Sequence, residues 1–147
     1  EQHVAKALTN GKSLWANPEV FSTEYSGSYS IKLDSLTLNQ NDFIDISTKI
    51  KLTSDESEVL LVSDISKDGE VIHWSATNVK RFETERQEWF LAHHTLPLSV
   101  LNLDLEGAVL KTYIYNKSES EVFYDSYSLE IRDGNPYLFG LYEEILD

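Results

Sequence analysis

Ten consecutive residues, FIDISTKIKL (Phe43–Leu52), do most to limit what this chain can become. Ile44, Ile46, Ile50 and Leu52 fall on one side of an extended backbone, and Asp45, Ser47, Lys49 and Lys51 fall on the other. On a helix the same spacing would scatter the isoleucines around the axis. A period of two instead defines a strand with one buried face. Such a strand cannot bury that face alone, so the rest of the chain must supply a second layer.

The remaining sequence follows the same pattern. SYSIKL (Ser28–Leu33) alternates, with Tyr29, Ile31 and Leu33 on one face. EVLLVSDIS (Glu58–Ser66) is rich in Val, Ile and Leu. The turn KDGE (Lys67–Glu70) follows it, with Asp-Gly at its centre, the strongest short hairpin signal. EVIHWSATNV (Glu70–Val79) alternates again, and EWFLAHHTLPL (Glu88–Leu98) ends at Pro97, which cannot donate to a ladder. AVLKTYIYN and EVFYDSYSLEI, joined by the polar KSES, complete a set of about eight strands with short turns, which predicts an all-β antiparallel β-sandwich of the jelly-roll kind. Helical periodicity is weak. VAKALTNGKSLW near the start has room for one helical turn closed by Gly11, and the apolar NPYLFGLYEEILD at the end is expected to pack back on the sandwich or lead to another domain.

The chain has 147 residues, enough for a single domain (1–147, core about 20–132) with a real core. It contains no Met, which points to a processed chain or a domain excised from a larger protein. Nothing approaches the roughly 20 apolar residues of a membrane span, and the N-terminal stretch has no apolar signal-peptide region. The absence of Cys removes disulfides, thiolate chemistry and Cys-ligated zinc. A net charge of −13 repels phosphate backbones, anionic membranes and anionic polysaccharides, so nucleic acid is not an expected partner. Solubility in a salty or extracellular setting accounts for most of this charge.

The order of features resembles a known family. A strand with Val20 and Phe21 leads to YSGSYSIKL (Tyr25–Leu33); HW at 73–74, EWF and TLPL (Thr95–Leu98) follow; LKTYIYN and VFYDSYSLEI close the series. This is similar to the galactose-binding-like jelly roll of many carbohydrate-binding modules. In those modules a Ser-Gly second strand, a Trp strand before a Leu-Pro turn and a final Asp-bearing strand recur. The resemblance covers roughly Val20 to Ile131. It departs from the family pattern at Ser126, which stands where a second Asp is common. It implies a non-catalytic sugar-binding sandwich, carried on a secreted, periplasmic or cell-surface protein and often tethered to further domains. It also implies a structural calcium, with Asp125 and Glu24 as ligands beside carbonyls near Ser26–Ser28.

Alternation sorts the faces. Leu110, Thr112 and Ile114 are assigned to the core and Lys111, Tyr113 and Tyr115 to the outside. Phe123, Asp125, Tyr127, Leu129 and Ile131 are expected inward, and Val122 and Tyr124 outward. Ile72, Trp74, Trp89 and Leu91 are expected inward, and His73, Phe90 and His94 outward. Trp15 lies in an irregular stretch and receives no placement. The expected ligand-binding face is therefore His73, Phe90, His94, Lys111, Tyr113, Tyr115 and Tyr124. Aromatic faces stack on the C–H faces of pyranose rings while polar neighbours select hydroxyls. The same tyrosines also serve as good strand formers that pack across strands or under a covering segment. A core-facing Asp125 would need a metal or hydrogen bonds, and both readings stand: a calcium ligand, or a rim carboxylate accepting backbone N–H groups.

No catalytic residue is assigned. There is no G-x-S-x-G and no Cys, and His93 and His94 should point to opposite faces of one strand. His73, His94 and Tyr113 on one face would fit a jelly-roll polysaccharide lyase, with Lys111 as the basic residue, but its Arg- and Gln-bearing motifs are missing. The expectation is a carbohydrate-binding module taking a neutral poly- or oligosaccharide. The alternative is a protein-interaction or assembly domain with no sugar site, since one fold hosts both.

Overall fold

A computed structural model describes residues 2–4, 12–14, 19–36, 38–101, 105–118 and 120–133. Among these, ten strands form two sheets. The first has the order β1 (Gln2–Val4), β4 (Ser28–Lys32), β9 (Val109–Asn116), β6 (Val59–Lys67), β7 (Glu70–Asn78). The second has the order β2 (Lys12–Leu14), β10 (Val122–Arg132), β5 (Phe43–Leu52), β8 (Phe90–Pro97), with β3 (Glu19–Phe21) also pairing β10. All pairings are antiparallel except the short β1–β4 contact. This is the all-β antiparallel sandwich expected from the pattern. The additional strands β1 and β2 are too short to show a period. Most of the stretch assigned a helical turn, including Gly11, lies outside the described residues, as do Trp15 and the C-terminal NPYLFGLYEEILD.

The core lies between the sheets. Ile44, Ile46, Ile50 and Leu52 of β5 are buried as the alternation required, and they meet Leu61 and Ile65 of β6, Leu110 and Ile114 of β9, and Tyr29 and Ile31 of β4. Each such side chain contributes about 1.5–3 kcal/mol by leaving water. The Asp-Gly turn between β6 and β7 has Asp68 at φ 54 and Gly69 at φ 83, the two left-handed residues that a tight hairpin turn demands.

Three face assignments are reversed, each for an identifiable reason. In β10 the ladder slips between Asp125 and Ser128, where three steps along β10 match two along β5, and Ser126 sits at φ 55. This bulge flips the side-chain phase partway along the strand. Val122 and Tyr124 are inward before it and Tyr127 and Leu129 inward after it, while Phe123 and Asp125 face out. A single phase carried along the whole strand therefore misplaced Tyr124, which is 1% exposed, and Asp125, which is not a core residue.

In β8 the inward set is Phe90, Ala92, His94 and Leu96, leaving Trp89 and Leu91 exposed. In β7 Ile72 and Trp74 are exposed, whereas His73, Ser75 and Thr77 turn inward and are half-buried. The common cause is a polar cluster inside the sandwich. His94 Nε2 lies 2.8 Å from Ser75 Oγ and 3.0 Å from Ser63 Oγ, and Nδ1 lies 2.8 Å from Thr77 Oγ1. A neutral imidazole offers one donor and one acceptor, and hydroxyls can satisfy both, so polar residues occupy core-facing positions at this edge. Burial, with a smaller contribution from nearby His73, lowers the His94 pKa to about 4.

Candidate functional site

The outer face of the first sheet gathers several aromatic side chains that the core does not use. Tyr113 and Tyr115 project from β9, two residues apart and therefore on one side. Segment 24–26 clamps onto the same strand. Asn116 N–H donates to the Glu24 carbonyl at 2.7 Å, Ser26 N–H donates to the Ile114 carbonyl at 3.0 Å, and Ile114 N–H donates to Ser26 Oγ at 2.9 Å. The clamp lays the Tyr25 ring on Tyr115, stacked at 5.0 Å, and edge-on to Tyr113 at 5.6 Å. From the far side of β6, Trp74 reaches over and its indole N–H points at the Tyr113 hydroxyl at 3.4 Å. Trp74, Tyr113, Tyr25 and Tyr115 thus form one continuous strip across the sheet. Trp74 and Tyr25 are about half exposed, at 51% and 50%.

A polar row runs beside the strip. The register places Trp74, Asp64, Lys111 and Ser30 opposite one another on β7, β6, β9 and β4. Asp64 is 5% exposed, with Lys111 Nζ at 3.9 Å, and burial raises its carboxyl pKa despite that neighbour. Lys111 Nζ also sits 5.9 Å from the Tyr113 ring centre. The strip therefore pairs flat apolar surfaces with an acceptor and a donor at one edge.

Of the residues expected on this face, the structure brings together Lys111, Tyr113 and Tyr115. It removes four. Tyr124 is in the core, its hydroxyl 2.9 Å from the Tyr29 hydroxyl and bonded to Glu19. Phe90 and His94 are buried from the other sheet. His73 lies opposite Ile65, half-buried on the inner side, with Nδ1 lacking a hydrogen-bond partner. The lyase grouping does not form, because Tyr113 is on the outer face while both histidines are on the inner one. His93 and His94 do point to opposite faces as expected, His93 packing its ring against Phe82 at 5.5 Å. Sequence reasoning missed Tyr25 and Trp74. Tyr25 lies in no regular strand, and the polar inner face of β7 disguised the direction of Trp74.

The proposed calcium ligands are apart in the fold. Glu24 is exposed beside Tyr25 and tied to β9 of the first sheet, whereas Asp125 lies on the outer face of the second, opposite Lys49. Among the described residues no three His, Asp or Glu side chains gather as a metal-binding group, and no helix is long and apolar enough to cross a membrane.

No protein-family model matches the chain, and no curated protein sequence matches it. Among solved structures it is similar to the CBM22-1 xylan-binding domain of Paenibacillus barcinonensis Xyn10C, at 13% identity over 89% of this chain and 92% of that one, with a TM-score of 0.49. It is also similar to the Stig cyclase Fisc of Fischerella sp. TAU, at 10% identity over 74% of this chain and 56% of the cyclase, with a TM-score of 0.48. A CBM4 structure matches at 12% identity over 82% of this chain and 70% of that one, with a TM-score of 0.42. Carbohydrate-binding modules thus stand among the structural neighbours, beside a cyclase. Identities this low and TM-scores below 0.5 carry nothing about a site, and the functional reading rests on the side chains.

Proposed function

We propose that this protein is a non-catalytic carbohydrate-binding domain that takes a neutral poly- or oligosaccharide across Trp74, Tyr113, Tyr25 and Tyr115. The carrying observation is the solvent-facing strip itself: three tyrosine rings in edge-on and stacked contact, extended by the Trp74 indole whose N–H points at the Tyr113 hydroxyl, and bordered by the Asp64–Lys111 pair. Pyranose rings are apolar on the flat and polar at the rim, which this surface complements. The net charge of −13 favours a neutral glycan over an anionic one. Attachment to further domains on a secreted or surface protein belongs to the same proposal.

Affinity electrophoresis against a panel of neutral polysaccharides tests it. Wild-type retardation should be lost in Tyr113→Ala and in Trp74→Ala, with both variants keeping wild-type melting temperatures. No retardation by any polysaccharide would refute the reading.

A protein-interaction role has one observation in its favour: β7 is an edge strand of the first sheet and exposes Val71 and Ile72 next to Trp74. Exposed edge strands invite pairing with another chain. Under that reading Val71→Lys abolishes association and leaves every glycan assay blank.

A further inference from the structure

The opposite face of the sandwich has its own recess. Trp89, Phe90 and Leu91 at the start of β8, with Lys49 of β5 and Asp125 of β10, line an open depression of about 410 Å³. Its position follows from the register, which sets Asp125, Lys49 and Leu91 opposite one another across three strands. Trp89 is 46% exposed and Leu91 47%. Two large apolar side chains side by side in water are a cost that a fold usually avoids unless a partner covers them.

Two further observations make this a recess with a purpose. Asp125 and Lys49 face each other in register, yet their side chains form no ion pair with each other within 4.0 Å, and among the described residues neither side chain has another charged partner. The strand beside them is strained. Ser126, at φ 55, is a non-glycine residue in left-handed conformation inside a strand, whereas Asp68 and Gln87, which share that property, lie in turns. Bulges of this kind re-aim side chains and gather next to binding sites. Here the bulge is what turns Asp125 out of the core and into the depression.

We infer that this depression is a second ligand site, separate from the aromatic strip, that takes a single glycosyl unit. The apolar face of a pyranose rests on Trp89 and Leu91, a hydroxyl donates to the Asp125 carboxylate, and Lys49 Nζ donates to another oxygen of the same ring. The strip on the first sheet can hold a length of chain, while the recess has room for one unit. With sites on opposite faces, one protein molecule can bind two polysaccharide strands.

The test is a titration of the intact protein, followed through its tryptophan indole N–H signals by NMR, with methyl glucoside, methyl xyloside, methyl galactoside and methyl mannoside as probes. At least one probe is expected to shift the Trp89 indole saturably. Asp125→Asn should weaken that response about tenfold and Tyr113→Ala should leave it unchanged. A Trp89 indole that no probe moves, or a response identical in Asp125→Asn, overturns the inference. A Trp89 response in a protein whose Trp74 indole and polysaccharide retardation are both silent would instead refute the strip and leave the recess standing, so the two proposals fail separately.

Discussion

Mild acid should loosen this fold, and one buried imidazole should account for it. His94 is buried between the sheets and bonded on both ring nitrogens by Ser63, Ser75 and Thr77. Its pKa falls from 6.5 to about 4, chiefly through burial. In the unfolded chain the imidazole takes up a proton as pH falls below 6.5; in the folded protein it resists until about 4. The unfolded state therefore binds more protons throughout that window, and stability falls as pH falls. The contribution is complete above the unfolded value, and below the folded one there is nothing further to lose. With each pKa unit worth about 1.4 kcal/mol, the loss is about 2 kcal/mol at about pH 5 and about 3 kcal/mol over the whole window. Asp64, whose pKa is raised, works in the opposite direction, so the comparison needs a variant that isolates His94. Urea unfolding of wild type and His94→Gln at about pH 7.5 and about pH 5 provides it. His94→Gln should be less stable than wild type at the higher pH and lose about 2 kcal/mol less on acidification. Equal losses in the two proteins would refute the assignment of the acid sensitivity to this imidazole.

Three further outcomes follow from the geometry. Tyr124→Phe removes a buried hydroxyl bonded to Tyr29 and Glu19; it should cost about 1–3 kcal/mol in urea melts and leave polysaccharide retardation unchanged, whereas lost retardation would return Tyr124 to the binding face. Asp64→Asn should weaken glycan binding about tenfold without lowering the melting temperature, because a carboxylate 5% exposed with a cation only at 3.9 Å costs the fold more than an amide does; a fall in both would make Asp64 a structural residue. Because Asp125 and Glu24 lie on different sheets, one calcium ion cannot take both as ligands, and chelator should leave the melting midpoint unchanged; a midpoint that drops on adding chelator and recovers with calcium would restore the metal.

The sandwich is legible in the pattern of residues alone. Alternation in Ser28–Leu33, Phe43–Leu52 and Ala108–Asn116 assigned strand, period and buried face correctly, because none of these strands carries an extra bulge residue of its own and each has apolar residues on its inner side. It also placed Lys111, Tyr113 and Tyr115 on the outside. The remaining features depend on packing between distant segments. The bulge at Asp125–Ser128 inverted one half of β10, and no local pattern announces that two residues will oppose one. The polar cluster around His94 inverted β7 and β8, since alternation identifies which residues share a face but burial of that face depends on what lies across from it. Tyr25 and Trp74 joined the strip through contacts far apart along the chain, one from a clamped loop and the other across an intervening strand. A period of two therefore says which side chains travel together, and the opposing sheet says which way they face.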